Sequence, residues 1–202
     1  ISKVKSAAAA NVHQFKVVKP ENVIFNPTKK KVIVIGSSTG GPKTIETLLA
    51  GLPKNIPAPI LIAQHMPAEF TKAFADRLNI LCAIEVREAK EDDPLEEGVA
   101  LIAPGGTDMI IAGSTEEPIK SRIRIIKKKE KSGIKPNINA LFRSAAELFK
   151  ENTIGIILTG MGNDGTEGCR KIKEFEGTTI AESKESSIIY GMPKSVADAG
   201  LA

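Results

Sequence analysis

Apolar residues follow two rhythms along this chain. Short β-branched runs alternate with longer segments whose apolar positions recur every three to four residues. Val32-Ile33-Val34-Ile35, closed by Gly36, is the first such run. An uninterrupted apolar run marks a strand buried on both faces. Gly41-Pro42 then opens a helix, because proline suits the first helical position, and Ile45, Leu48, Leu49 and Leu52 keep helical spacing until Pro53. Residues 59–64 predict a second strand. Pro67 starts a second helix, with Phe70, Phe74 and Leu78 four apart on one face. Residues 83–87 and 99–103 predict two more strands around the acidic loop 88–97.

The middle of the chain changes pattern. Residues 108–112 and 119–126 are strand-like, and Arg122-Ile123-Arg124-Ile125 alternates as a half-buried antiparallel hairpin does. Asn137 is a suitable helix cap, followed by the stripe Ile138, Leu141, Phe142, Ala145, Leu148 and Phe149. A buried strand over 154–158, a loop over 159–166, a helix to about residue 175 and a short strand over 178–181 complete the pattern. Repeated β-α-β units of this size predict an α/β fold with three αβα layers: a mostly parallel, doubly wound sheet with an antiparallel hairpin added. Residues 1–30 lack periodicity and are expected to be a linker or leader, with one domain over 31–202. The chain opens on Ile1, which suggests a processed protein or part of a longer one.

Composition narrows the class. With 202 residues, 42% hydrophobic and 26% charged, the chain can bury a core, which excludes a disordered chain, a fibre and a long coiled coil. No apolar run approaches the ~20 residues of a membrane span. Cys82 and Cys169 are too few for a disulfide framework or a cysteine zinc site, so a reduced, cytoplasmic protein is expected, without metal or cofactor. The net charge of +4 is mild, and with no Trp and only Tyr190 there is little to stack bases on, so no nucleic-acid partner is expected. The basic run at 127–131 reads as a solvated strand end, or alternatively as a dock for an acidic partner.

In a parallel sheet, ligands bind beyond the carboxyl ends of the strands, and three loops there carry unusual chemistry. Gly36-Ser37-Ser38-Thr39-Gly40-Gly41 is not a P-loop, because Pro42 stands where the lysine must be. It is a poor dinucleotide fingerprint, because Ser38 replaces the middle glycine. It does fit G-x-S-x-G, a sharp strand-to-helix elbow that would raise the Ser38 hydroxyl above the sheet and aim the Thr39 N–H at a developing oxyanion. A connecting turn and an anion-binding loop remain as alternatives. His65 is the only histidine outside the leader, at the end of the next strand, where a neutral imidazole could accept the serine proton. Asp164, in Gly160-Met161-Gly162-Asn163-Asp164-Gly165, could fix the His65 tautomer, or simply cap the following helix. Asp108 is a rival for the orienting role. The order Ser38, His65, Asp164 is not that of the α/β-hydrolases.

Taken together, the segments Ile33 through Pro42, Gln64-His65-Met66-Pro67 and Leu158-Thr159-Gly160-Met161-Gly162-Asn163-Asp164-Gly165 resemble the catalytic domain of the bacterial chemotaxis receptor methylesterase. Ile102-Ala103-Pro104-Gly105-Gly106, the stretch from Pro136 to Ala145 and Gly191-Met192-Pro193 are similar as well. The resemblance implies a serine hydrolase that releases methanol from glutamate methyl esters on chemoreceptor helices, with receptor glutamine deamidation in some members. It implies Ser38 as nucleophile, His65 as base, Asp164 as orienting acid and the Met161 N–H as a second oxyanion donor. The partners implied are the methylated helical bundle of a chemoreceptor and, in a longer protein, an N-terminal receiver domain whose phosphorylation relieves inhibition. Residues 1–30 would then be the linker, the domain a monomer without cofactor, and a last element beyond Ala202 missing. The family often has Arg and Asp where this chain has Lys135 and Asn139. Outside the resemblance, an α/β module that binds phosphate or nucleotide without hydrolysis is the competing expectation.

Overall fold

Val32, Val34 and Ile35 are fully buried because their strand has a helical layer on each face. Val32 and Val34 pack into one apolar cluster and Ile35 into the other. The computed structural model describes residues 30–127 and 135–202. Six parallel strands, β1 (Val32–Ser37), β2 (Ile60–Gln64), β3 (Glu85–Glu88), β4 (Val99–Ile102), β7 (Thr153–Ile157) and β8 (Thr178–Ala181), lie in the order β3-β4-β2-β1-β7-β8. The strands β5 (Asp108–Ala112) and β6 (Arg122–Ile126) form a separate antiparallel pair.

Helices α1 (Gly41–Ala50) and α2 (Ala68–Leu81) cover one face of the sheet, where Ile45, Leu49, Ala75 and Leu78 meet Ile60, Ile62 and Ile102. Helices α3 (Ile138–Phe149), α4 (Thr166–Glu174) and α5 (Met192–Asp198) cover the other through Leu141, Phe142, Cys169, Ile172 and Val196. The β5–β6 pair packs on this second side, where Ser144 Oγ also accepts a 3.0 Å hydrogen bond from the Ile111 amide. The α/β class, the parallel sheet and the hairpin thus match expectation. Two elements differ. Pro118–Lys120 is a 3-10 turn, so β6 begins at Arg122, as proline lacks the N–H a strand needs. The seven-residue α5 was too short to show a period.

The buried face of α2 consists of Thr71, Ala75 and Leu78, whereas Phe70 stands at the surface, 60% exposed. The expected Phe70-Phe74-Leu78 face is therefore rotated: Phe70 borders a cleft described below. The expected linker over 1–30 lies outside the described residues, except Lys30, as does the basic run beyond Lys127. No described helix is long and apolar enough to cross a membrane.

Both cysteines are free thiols. Burial pushes the Cys169 thiol up to about 12, with Lys173 opposing only weakly. Burial and then Glu46 raise Cys82, which stays half-buried. Thiolate is the reactive form. Iodoacetamide at neutral pH should therefore alkylate Cys82 slowly and leave Cys169 untouched until urea unfolds the chain, as peptide mass mapping would read.

Candidate active site

The register brings three loops to one rim. Ser37 pairs with Gln64 across β1 and β2, and Gly36 with Ile157 across β1 and β7, so the chain leaves all three strands at the same level. Sheet order reverses here, with β2, β4 and β3 on one side of β1 and β7 and β8 on the other. Such a switch point opens a crevice above the strand ends.

Two adjacent serines end β1, and they differ. Ser37 is fully buried and its hydroxyl donates to Gln64 Oε1 at 2.6 Å. Ser38 is half-buried and lines the cleft. Its amide donates to Thr159 O at 3.0 Å, and its carbonyl accepts from Gly41 N and Gln64 Nε2, each at 2.9 Å. The turn into α1 is made by Gly40, at a φ of 86°, and Ser38 is not among the described residues with positive φ. The strand-to-helix turn thus lies where the sequence placed it, with the left-handed conformation at a glycine and not at the serine. The left-handed turn falls two residues after the serine, where glycine adopts it without strain. Of the loop amides, those of Ser38 and Gly41 bond within the fold, and Pro42 has none.

Gln64 holds serine and imidazole to one frame. Its Nε2 donates to both the Ser38 and the His65 carbonyls, each at 2.9 Å. It reaches them because position 41 is glycine: a Cβ there would lie 2.0 Å from Gln64 Oε1. Thr159 does the same for the neighbouring loop. Its Oγ1 donates to Thr39 O at 2.9 Å and accepts from the Ile189 amide at 2.8 Å. Gly160 lies so close to Ser38 that a Cβ would stand 2.7 Å from the serine Cβ.

His65 and Asp164 are joined directly. His65 Nε2 donates to Asp164 Oδ2 at 2.9 Å, and the imidazole is only 6% exposed. With Nε2 carrying the proton, Nδ1 holds the free lone pair. It is buried and has no hydrogen-bond partner among the described residues. Burial works to raise the Asp164 pKa. The hydrogen bonds from His65, Ile138 N and Asn139 N outweigh it and hold the carboxyl below the ordinary carboxylate range. Asp164 does not cap α4, whose cap position is Gly165; it serves the start of α3, accepting from Ile138 N at 2.9 Å and Asn139 N at 3.2 Å. An anionic group is favoured at that helix end.

Asp108 is not a rival orienter. It accepts from Lys135 Nζ and from Asn137 N, both at 2.9 Å, and so anchors the segment that enters α3. Lys135 and Asn139, where the chain departs from the resembled family, thus have internal partners: Lys135 pairs with Asp108, and the Asn139 side chain donates to Asp164 Oδ1 at 2.8 Å.

Ser38 and His65 line a common cleft of about 600 Å³, together with Met66, Phe70, Phe74 and Arg77. No hydrogen bond joins serine to imidazole. Such bonds are often loose in unliganded sites and tighten with substrate. The cleft is bordered by apolar side chains, with the Arg77 guanidinium held by Glu46 at 2.9 Å. Of the two proposed oxyanion residues, Thr39 stands exposed beside Ser38, and Met161, 73% exposed, follows Gly160. Gln64 and Thr159 were not singled out from the sequence, and Asn139 only as a departure from the resembled family. A polar residue ending an apolar run, as in Ile62-Ala63-Gln64 and Ile157-Leu158-Thr159, was the available signal, since a buried polar side chain needs partners.

A serine, an imidazole and a carboxylate thus stand above the switch point of the parallel sheet of an α/β domain, the side-chain types on which serine hydrolysis relies. The comparisons with known proteins narrow this. Residues 33–202 match the family model described as CheB methylesterase, and the chain belongs to that family. It is 47% identical over 174 residues to the "protein-glutamate methylesterase/protein-glutamine glutaminase 1" of Vibrio cholerae, covering 86% of this chain and 45% of that protein. It is 44% identical over 186 residues to the corresponding Vibrio parahaemolyticus protein, covering 91% and 50%. The chain thus spans about half the length of the curated relatives it matches. The crystal structure of the Thermotoga maritima CheB methylesterase catalytic domain superposes with a TM-score of 0.81 at 41% identity, over 86% of this chain and 90% of that one.

Proposed function

We propose that residues 31–202 are a catalytic domain that hydrolyses glutamate γ-methyl esters on the helical bundle of a chemoreceptor in the cytoplasm, acting as a monomer. The observation that carries this is the His65–Asp164 pair, in which the imidazole lines the same cleft as Ser38 and keeps a nitrogen without a partner among the described residues. Ser38 Oγ attacks the ester carbonyl while His65 Nδ1 takes its proton, and Asp164 stabilises the imidazolium through Nε2–H. The Thr39 and Met161 amides hold the oxyanion, each donor contributing about 3 kcal/mol. Nδ1–H then protonates the departing methoxide. Water, deprotonated by Nδ1, cleaves the acyl-enzyme, leaving a glutamate carboxylate and free Ser38. The same sequence on a glutamine side chain expels ammonia, which accords with the second activity in the relatives' names. Hydrolysis restores a negative charge to the receptor helix, a local electrostatic change that can bias signalling. Residues 1–30 act as a linker to a receiver domain in the longer protein. Incubation with a receptor fragment carrying labelled methyl esters should release volatile methanol and lower the fragment's mass by one methylene per site. An unchanged fragment mass in the presence of folded protein would rule the activity out.

A further inference from the structure

Asn139 meets Asp164 from the side opposite the imidazole. Its amide and its side-chain Nδ2 both donate to Asp164 Oδ1, at 3.2 and 2.8 Å, while His65 uses Oδ2. The other end of the same side chain is occupied as well. Asn139 Oδ1 accepts from the amides of Gly165 and Gly168, at 3.1 and 2.7 Å. Helix α4 comes close enough for this because position 168 is glycine: a Cβ there would lie 2.5 Å from Phe142 Cβ and 3.3 Å from Asn139 Cα. One half-buried carboxamide thus joins the first turns of α3 and α4 and the carboxylate between them. Its orientation is forced, because only nitrogen can face Asp164 and only oxygen can face two N–H groups.

We propose that Asn139 is a positioning residue of the site: it fixes the rotation of the Asp164 carboxylate and spreads its charge, and through Asp164 it sets the orientation and proton affinity of His65. This rests on the hydrolase reading for its effect on turnover, but not for its effect on the imidazole. Asn139 does not line the cleft, and both ends of its side chain are bonded within the fold. Aspartate at this position keeps the acceptor for the two α4 amides but turns the donor toward Asp164 into a second negative oxygen. Added negative charge beside the pair stabilises the imidazolium form. Alanine removes both functions. The other charged groups on the surrounding elements are Asp108 and Lys135 ahead of α3, Glu167 in the first turn of α4, Glu182 after β8, and Arg77 with Glu46 along the cleft. All of them are the same in each variant.

The chain has only two histidines, His13 and His65, so both ring titrations can be followed by NMR in the intact protein, with His13 as internal reference. In Asn139→Asp, the His65 midpoint should rise by on the order of one pH unit. On methylated receptor, kcat/KM of that variant at pH 6 should fall about tenfold, recovering at higher pH. Asn139→Ala should lose kcat by roughly tenfold to a hundredfold with KM unchanged. A folded Asn139→Asp protein whose His65 titration superposes on that of the parent overturns the proposal. Failure of all three proteins to release methanol, with the midpoint displaced, would instead count against the hydrolase reading alone.

Discussion

Ser38→Ala should abolish methanol release, by about ten-thousandfold or more, and leave the thermal midpoint within about a degree of the parent. The activity loss follows from the chemistry: with no Oγ at position 38 there is no acyl-enzyme, and any residual rate reflects water and the oxyanion donors alone. The stability result follows from the packing. The Ser38 hydroxyl makes no hydrogen bond with the described residues, and the loop is held instead by the backbone bonds to Thr159 and Gly41 and by Gln64. Ser37→Ala is the control, with the opposite outcome. Its hydroxyl is buried and bonded to Gln64, so its removal costs about 1 kcal/mol of stability and only a modest part of the activity. A serine-directed fluorophosphonate should label the parent at Ser38 and spare the Ser38→Ala chain. Labelling at Ser37 instead would overturn the assignment of the nucleophile.

Asp164→Asn should lower kcat by about 10³–10⁴-fold. The carboxamide can turn its NH₂ toward His65 Nε2, which moves the ring proton to Nδ1, the nitrogen that must be free to accept from Ser38. The same substitution reshapes the pH dependence of stability. The Asp164 carboxyl lies below the ordinary range in the folded state, so it protonates less readily there than in the unfolded chain. Its contribution is therefore present in full above the unfolded value of about 4 and is lost as pH falls through the depressed folded value. Urea midpoints of the parent should drop more steeply below about pH 4 than those of Asp164→Asn, which lacks this titration. Parallel curves for the two proteins would show that the carboxylate contributes nothing to acid stability.

The strands that frame the site were legible because both their faces are covered. Val32, Val34, Ile35 and Ile60 to Ala63 are buried and Ile33 partly so, which leaves no polar side to break the apolar run, and they read as buried strands without an alignment. Their loops were legible because serine, histidine and aspartate at three strand ends in one sheet are chemically conspicuous. The supports were not, since each joins residues far apart in sequence: Gln64 with Ser38 across 26 positions, Asn139 with Asp164 across 25, Thr159 with Thr39 across 120. A pentapeptide pattern also carries no φ angle, so G-x-S-x-G gave the turn but not that its left-handed residue is Gly40. Helix α2 shows the limit of spacing alone. Thr71, Ala75 and Leu78 form the buried stripe as consistently as Phe70, Phe74 and Leu78 would, and the aromatic side chains were the misleading choice.

The three reactive groups leave β2, β1 and β7, which are adjacent at the middle of the sheet, with β4, β3 and β8 outside them. Central strands open last, in the same cooperative unit as the global transition, whereas outer ones fray at lower cost. A species with one edge peeled away therefore keeps its hydroxyl, ring and acid in place, and a species that has lost any one of them has lost the whole core. On the proposed function, turnover should consequently vanish in step with tertiary circular dichroism along a denaturant series, so that the reaction would gauge how many molecules in a sample are intact.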